Sequence, residues 1–136
     1  AARGGLVNSM YPWGNEKPGQ GRYRANYLQG VFPTYNTMAD GHERCAPVKS
    51  FLPNGYGLFD MAGNVWEWVN AENPQGPGEY FLQNLQNPEK KKVMRGGSFL
   101  CNDGWCSGYR NARRMHSTPD SGTEHLGFRC ARDVKN

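Results

Sequence analysis

Turn-forming residues recur so closely along this chain that few segments sustain the periodicity of an amphipathic helix. Its 136 residues include 18 glycines and 9 prolines, and average usage of glycine is only about 7%. This composition favours turns and irregular backbone over long helices. The length matches one ordinary domain that can bury a core of its own. We therefore expect a single domain over residues 1–136, of the α+β class with little regular secondary structure.

Alternating residues predict where the strands lie. Residues 58–69 follow a Pro-Asn-Gly turn at 53–55 and end in alternation of Val, Glu and Val with two Trp residues, which predicts a turn that leads into a strand. Two further strands are expected at residues 92–100 and 126–132, with a turn at 118–122 between them.

Charge and hydropathy exclude some functions. The formal net charge of +4 has its densest contribution in the run Glu89–Lys92, which we interpret as a solvated loop within the polar segment 70–92. Because a nucleic-acid binder collects more Lys and Arg on one element, we expect no nucleic-acid partner. No run of about 18 apolar residues occurs, so we expect no membrane span. Five arginines lie late in the chain, where they can form surface ion pairs or face a reactive thiol: Arg110, Arg113, Arg114, Arg129 and Arg132.

Two cysteines lie just after a Gly-Gly-Ser turn. Cys101 and Cys106 are separated by four residues. Thiolates are soft ligands that select copper(I), zinc or iron-sulfur, and two of them with few other ligands nearby favour two-coordinate copper(I). The same pair can instead close a disulfide, because a short flexible loop lets the two sulfur atoms meet. Both readings stay open from the sequence.

Oxygen-bearing side chains form a second pattern. Asp60, Asn64 and Glu67 surround a glycine, and Asn26 precedes Asp40 by fourteen residues. Calcium accepts six to eight oxygen ligands, and a glycine-containing turn can direct carbonyl oxygens at the ion. The same residue types also build ordinary turns through hydrogen bonds from side chain to backbone.

Several separated motifs resemble those of the formylglycine-generating enzymes, which are also called sulfatase-modifying factors. The motifs are Arg-Gly-Gly-Leu at 3–6, Tyr-Pro-Trp-Gly-Asn at 11–15, Gln-Gly-Val-Phe-Pro at 29–33, residues 54–68 with Gly-Asn-Val-Trp-Glu-Trp, Arg-Gly-Gly-Ser at 95–98, Thr-Pro-Asp-Ser at 118–121 and Leu-Gly-Phe-Arg-Cys-Ala at 126–131. The resemblance implies the formylglycine-generating-enzyme fold with its C-type-lectin-like core. It also implies that residues 1–136 are the C-terminal portion of that domain.

The resemblance implies an activity and its residues. A cysteine in a Cys-x-Pro-x-Arg segment of an unfolded sulfatase polypeptide would be oxidised by dioxygen to Cα-formylglycine. Cys101 and Cys106 would bind copper(I), Ser98 would line the oxygen site, and Trp66 would lie near it. Because aromatic residues dominate protein cores, Trp66 can also be simply a buried strand residue.

Two calcium sites are implied in the same way. The first would use the side chains of Asn26 and Asp40 with the carbonyls of Tyr27 and His42. The second would use the side chains of Asp60 and Glu67 with the carbonyls of Gly63 and Val65.

The chain departs from the family at several positions. Asn102, Trp105 and His125 stand where many members have His, Tyr and Asn. Cys45 and Cys130 can form a disulfide or remain as free buried thiols.

Other functions compete with the oxidase reading. One is a non-catalytic module on the same scaffold that binds a partner or a saccharide. Another is a structural zinc site made by Cys101, Cys106, His116 and His125, although eight residues separate the histidines where about three to five are usual. The resemblance implies the endoplasmic reticulum lumen or secretion in an animal, and the cytoplasm in a bacterium.

Overall fold

The computed structural model describes residues 1–19, 21–70 and 91–133, which contain six short strands. The strands are β1 (Gly30–Val31), β2 (Tyr35–Asn36), β3 (Trp66–Val69), β4 (Lys92–Arg95), β5 (Met115–Ser117) and β6 (Leu126–Gly127). Within these residues no helix is present, and so none that could cross a membrane. The expectation of little regular secondary structure is confirmed. The predicted polar loop at 70–92 lies mostly outside the described residues.

Four strands form one sheet in the order β5-β4-β3-β6, and β1 pairs with β2 in a separate hairpin. β3 is central, antiparallel to β4 and parallel to β6. It forms where alternation predicted a strand, and its Trp66 is 3% exposed. β3 therefore contributes Trp66 to the core, to which β4 adds Val93 and Met94.

Two of the predicted strands are shorter than expected. β4 ends at Arg95 because Gly96 and Gly97 take positive φ values of 96° and 77°, which turn the chain away from the sheet. β6 ends at Gly127 instead of continuing to residue 132. The turn predicted at 118–122 is present, since the Ser121 N–H donates to the Thr118 carbonyl at 3.0 Å.

Trp66 packs against glycine backbone. A Cβ on Gly108 would lie 2.5 Å from the ring of Trp66 and 2.6 Å from the Cα of Gly97. Real Cβ atoms do not approach this closely, so both positions require glycine. The two glycines let the segments before and after the cysteine loop close over the Trp66 ring. The buried cluster around the ring contains Tyr11, Ala25, Tyr27, Ala62, Met94, Cys101 and Tyr109.

Cys45 and Cys130 correct one expectation. Both are free thiols in this structure, and both are exposed. They form neither the disulfide nor the buried thiols that the sequence suggested. Each lies in irregular backbone outside the sheet, where no core covers it.

Candidate functional site

Cys101 and Cys106 meet at the two ends of a tight loop, as their spacing predicted. Their Cα atoms are 5.3 Å apart, and the two sulfur atoms are joined in a disulfide. Cys101 is 2% exposed, whereas Cys106 is half-buried. Of the two states that the sequence left open, the structure contains the disulfide. The pairing brings both sulfur atoms to one point, so reduction would release two adjacent soft donors.

Backbone hydrogen bonds hold this loop closed. The Asn102 N–H donates to the Trp105 carbonyl at 2.9 Å, and the Ser107 N–H donates to the Asn102 carbonyl at 3.0 Å. The Asn102 side-chain oxygen accepts the Trp105 N–H at 2.6 Å. Cys106 has a φ of 74°, a left-handed conformation that costs free energy for a residue with a side chain. The loop geometry therefore keeps the backbones of Cys101 and Cys106 close together.

The other two predicted site residues lie beneath the sulfur pair. Ser98 is 1% exposed, and its hydroxyl lies 3.9 Å from the sulfur of Cys101. That hydroxyl also accepts the Leu100 N–H at 3.3 Å. Trp66 belongs to the same buried cluster as Cys101. The structure thus brings Ser98 against the sulfur pair and places Trp66 in the core that supports it.

Three contacts around the loop had no signal in the sequence. The Asn102 amide donates to the Gly30 carbonyl at 3.1 Å, which ties the loop to β1. Trp105 stacks on Phe32 from the β1–β2 hairpin, with ring centroids 5.1 Å apart. The carbonyl of Cys101 accepts the Leu28 N–H at 3.0 Å. Asn102 and Trp105 therefore fasten the loop to its surroundings.

Tyr109 closes the other side of the loop. It is 2% exposed, and its hydroxyl donates to the Asp103 carboxylate at 2.9 Å. Burial, followed by the hydrogen bond to Asp103, raises the pKa of Tyr109 above its usual range. The phenol therefore stays protonated and acts only as a hydrogen-bond donor to the loop.

Three residues of the first predicted calcium site, Tyr27, Asp40 and His42, lie together. The Asp40 carboxylate accepts the N–H groups of Tyr27 at 3.2 Å and His42 at 3.0 Å. The Gln29 amide donates both to that carboxylate and to the Tyr27 carbonyl. The side-chain oxygen of Asn26 is buried and has no donor among the described residues. A buried acceptor without a donor fits a cation that prefers oxygen ligands.

An arginine already occupies part of the second predicted calcium site. Arg129 donates to both oxygens of the Glu67 carboxylate, at 2.6 and 2.5 Å. It also donates to the carbonyls of Phe59 and Asp60, each at 2.9 Å. The hydrogen bond to Glu67 raises the pKa of Arg129. A cation here would have to share Glu67 with a guanidinium. The other two ligands predicted for this site, the carbonyls of Gly63 and Val65, belong to the residues just before β3.

The zinc alternative finds no assembled ligand set. Across residues 1–19, 21–70 and 91–133, no group of three or more His, Cys, Asp or Glu side chains is placed to hold one metal ion. His116 lies on β5 and His125 precedes β6, and these two strands are opposite edges of the sheet. The two histidines therefore cannot join the cysteine pair at one ion.

The thiol inventory is a first testable prediction. We expect alkylation of the native, non-reduced protein to modify Cys45 and Cys130 and to spare Cys101 and Cys106, because only the first two are free. After reduction all four should react. Peptide mass spectrometry of the alkylated protein measures this, and modification of Cys106 before reduction would contradict the disulfide.

Comparison with known proteins places the chain in a family. The sequence model of the sulfatase-modifying factor enzyme 1-like domain matches residues 1–134. A formylglycine-generating enzyme from Streptomyces coelicolor is 48% identical over 98% of the chain and 44% of its own length. A mouse protein named inactive C-alpha-formylglycine-generating enzyme 2 is 41% identical over 96% of the chain and 39% of its own length.

A solved structure shares the fold. PvdO from Pseudomonas aeruginosa aligns with a TM-score of 0.62 at 23% identity, over 93% of this chain and 46% of that protein.

The chain spans less than half the length of the relatives it matches. The match over residues 1–134 and the shared fold agree with one assignment. The chain belongs to the formylglycine-generating enzyme, or sulfatase-modifying factor, family.

Proposed function

We propose that this chain carries the thiol-pair centre of an enzyme that converts a sulfatase cysteine, within Cys-x-Pro-x-Arg, to Cα-formylglycine. The enzyme is an oxidoreductase that uses copper(I) and dioxygen, and its substrate is an unfolded sulfatase polypeptide. One observation carries the proposal: Cys101 and Cys106 meet in a tightly held loop, directly above the Ser98 hydroxyl. The relatives named formylglycine-generating enzymes support the same reaction.

The sulfur pair fits copper(I) by its donor chemistry. Two thiolates with no third His, Cys, Asp or Glu beside them in the described residues suit a soft metal of low coordination number. Copper(I), when bound, would supply the redox chemistry for dioxygen. Cys101 and Cys106 must first be reduced, since sulfur atoms in a disulfide do not bind the metal as thiolates.

The surrounding residues would orient and shield the reaction. Cys101 is buried and Cys106 is half-buried, so a substrate thiol approaches from the side of Cys106. Trp66 and the core close the inner side against water. The substrate CH₂–SH group loses two protons and two electrons to dioxygen. The substrate becomes a thioaldehyde, and dioxygen becomes hydrogen peroxide. Water then adds to the C=S bond, and sulfide leaves.

Peptide conversion tests the proposal. The reduced, copper-loaded full-length protein is expected to convert a Cys-x-Pro-x-Arg peptide to the aldehyde in the presence of dioxygen. Mass spectrometry and capture by a hydrazide probe identify the product. The matched control is the same peptide with Ser in place of Cys, which should not react. Absence of aldehyde from the copper-loaded protein would contradict the proposed activity.

A non-catalytic binding module is the second candidate. Two observations favour it: the sulfur pair is closed in a disulfide, and one relative at 41% identity is named as inactive. In this reading the disulfide is permanent, and the surface loops bind a protein partner or a saccharide. A reduced protein that binds no copper(I) would support this second function.

We also propose that the chain binds calcium at the two predicted sites, with different affinities. The first site has an acceptor that lacks a donor, Asn26, whereas the charge of Glu67 in the second is already neutralised by Arg129. The first site should therefore bind more tightly. These ions would tie loops together and so stabilise the fold.

Calcium titration checks the order of affinity. Asp40→Asn is expected to weaken the tighter binding event by at least about tenfold, because one full ligand charge is lost. Glu67→Gln should weaken only the other event. Isothermal titration calorimetry after removal of metals measures both. Asp120→Asn, an exposed residue of the 118–121 turn, is the matched control and should change neither. Unchanged binding in Asp40→Asn would contradict the first site.

A further inference from the structure

One cross-strand row of the sheet carries an excess of positive charge. The register places Glu67 of β3 between Arg95 of β4 and Gly127 of β6. On the other side of β4, the last paired residues are Met94 and Met115. Arg114 immediately precedes β5, and continuation of the same antiparallel register places it opposite Arg95. Side chains of directly opposite residues lie on the same face of a sheet. The row therefore reads Arg114, Arg95, Glu67 and Gly127.

The single acid in this row is already engaged. Both carboxylate oxygens of Glu67 accept hydrogen bonds from Arg129, so Glu67 does not neutralise Arg95 on the neighbouring strand. The hydrogen bond of the Arg95 guanidinium goes to the carbonyl of Asn111, which is uncharged. Within residues 1–19, 21–70 and 91–133, ion pairs involve neither Arg95 nor Arg114.

The positive charges of this row lower the pKa of groups close to it. Arg95 is half-buried, and burial, then the charges of Arg114 and Arg3, lower its pKa. The pKa of His116 on β5 is likewise lowered, mainly by burial and next by the charges of Lys91 and Arg114. Like charges directly opposite each other destabilise a sheet. A compensating anion would remove this repulsion.

We propose that Arg95 and Arg114, assisted by Arg3, form a binding site for a tetrahedral oxyanion such as sulfate or phosphate. Arg95 and Arg114 are cross-strand neighbours without an ion pair among the described residues, so together they match a doubly charged ligand. Each guanidinium presents the planar fork of N–H donors that suits such oxyanions. The half-burial of Arg95 strengthens the interaction by limiting the access of water. The site uses neither cysteine of the sulfur pair nor any residue of the loop between them.

Thermal unfolding at constant ionic strength tests the site. Sulfate or phosphate, compared with chloride, is expected to raise the midpoint of the full-length wild-type protein by several degrees in a saturable way. Arg114→Gln should lose most of this increase. Arg22→Gln, an exposed arginine without an ion pair among the described residues, should retain it. Sulfate also stabilises proteins non-specifically, so the difference between the two variants is the measured quantity.

The stability of the Arg114→Gln variant in chloride also tests the site. Because Arg114→Gln removes the repulsion from Arg95, it should be at least as stable as the wild type when no oxyanion is present. A purely structural arginine would instead make the variant less stable. Equal responses of the two variants to sulfate would overturn the proposal.

A second measurement does not depend on a variant. In the wild-type protein, NMR signals of the Arg95 and Arg114 side-chain N–H groups should shift with sulfate and reach a plateau. Shifts that grow linearly without a plateau would also overturn the site. Neither measurement involves copper or peptide oxidation, so failure here leaves the proposed enzymatic function untouched.

Discussion

Replacing either Cys101 or Cys106 with serine is expected to lower the copper(I) affinity of the reduced protein by more than about 100-fold. Loss of an outer contact to a metal ligand costs about 10–100-fold, and loss of the ligand itself should cost more. A hydroxyl is also a hard donor that suits copper(I) poorly. Competition with a chromophoric copper(I) chelator under anaerobic conditions measures the affinity.

The two free cysteines provide matched controls for this experiment. Cys45→Ser and Cys130→Ser change the same atom at exposed positions outside the loop, so both should keep wild-type copper(I) affinity. Aldehyde formation from the substrate peptide should follow the same order across the four variants. Tight copper(I) binding in either Cys101→Ser or Cys106→Ser would rule out a two-thiolate site.

Gly97→Ala is expected to lower the free energy of unfolding by about 2–5 kcal/mol, through a left-handed backbone and an overpacked core. Gly97 has a φ of 77°, and an added Cβ would lie 2.6 Å from the backbone of Gly108 and of Tyr109. Gly108 itself packs against the Trp66 ring, so its backbone cannot move away without disturbing that ring. Urea unfolding followed by tryptophan fluorescence measures the loss.

Gly57→Ala separates the two causes. Gly57 has a nearly identical φ of 73°, but a Cβ there would meet nothing within 4 Å. This variant should therefore lose only the backbone contribution, about 1 kcal/mol. Equal losses in the two variants would show that the close approach of residues 97 and 108 does not limit stability.

Local patterns in the sequence identified the parts of the fold that depend on near neighbours. Alternation over residues 65–69 located β3, and the four-residue spacing of the cysteines was enough to bring Cys101 and Cys106 together. The fold itself followed from motifs at separated positions, which the family match over residues 1–134 confirms.

Long-range partners escaped sequence reasoning for a physical reason. β5 is three residues long and contains a histidine, so it has no alternation to detect, and it is a strand only because β4 pairs with it. Glu67 is predicted as a calcium ligand, and the structure adds a partner that the sequence does not indicate, Arg129, which lies 62 residues away. No spacing rule predicts a pair at that separation. Asn102 gave no signal either, since its role depends on the distant Gly30 carbonyl.

Because Cys101 and Cys106 are buried to different degrees, an external thiol should attack one particular sulfur atom of the disulfide. Attack by an external thiolate requires access along the S–S axis to the sulfur that is attacked. Cys106 is open to such an approach, whereas Cys101 is 2% exposed and sheltered by the core. Small thiols should consequently form their mixed disulfide on Cys106 and expel Cys101 as the leaving thiolate. The sulfur that first becomes anionic is then the one lying 3.9 Å from the Ser98 hydroxyl.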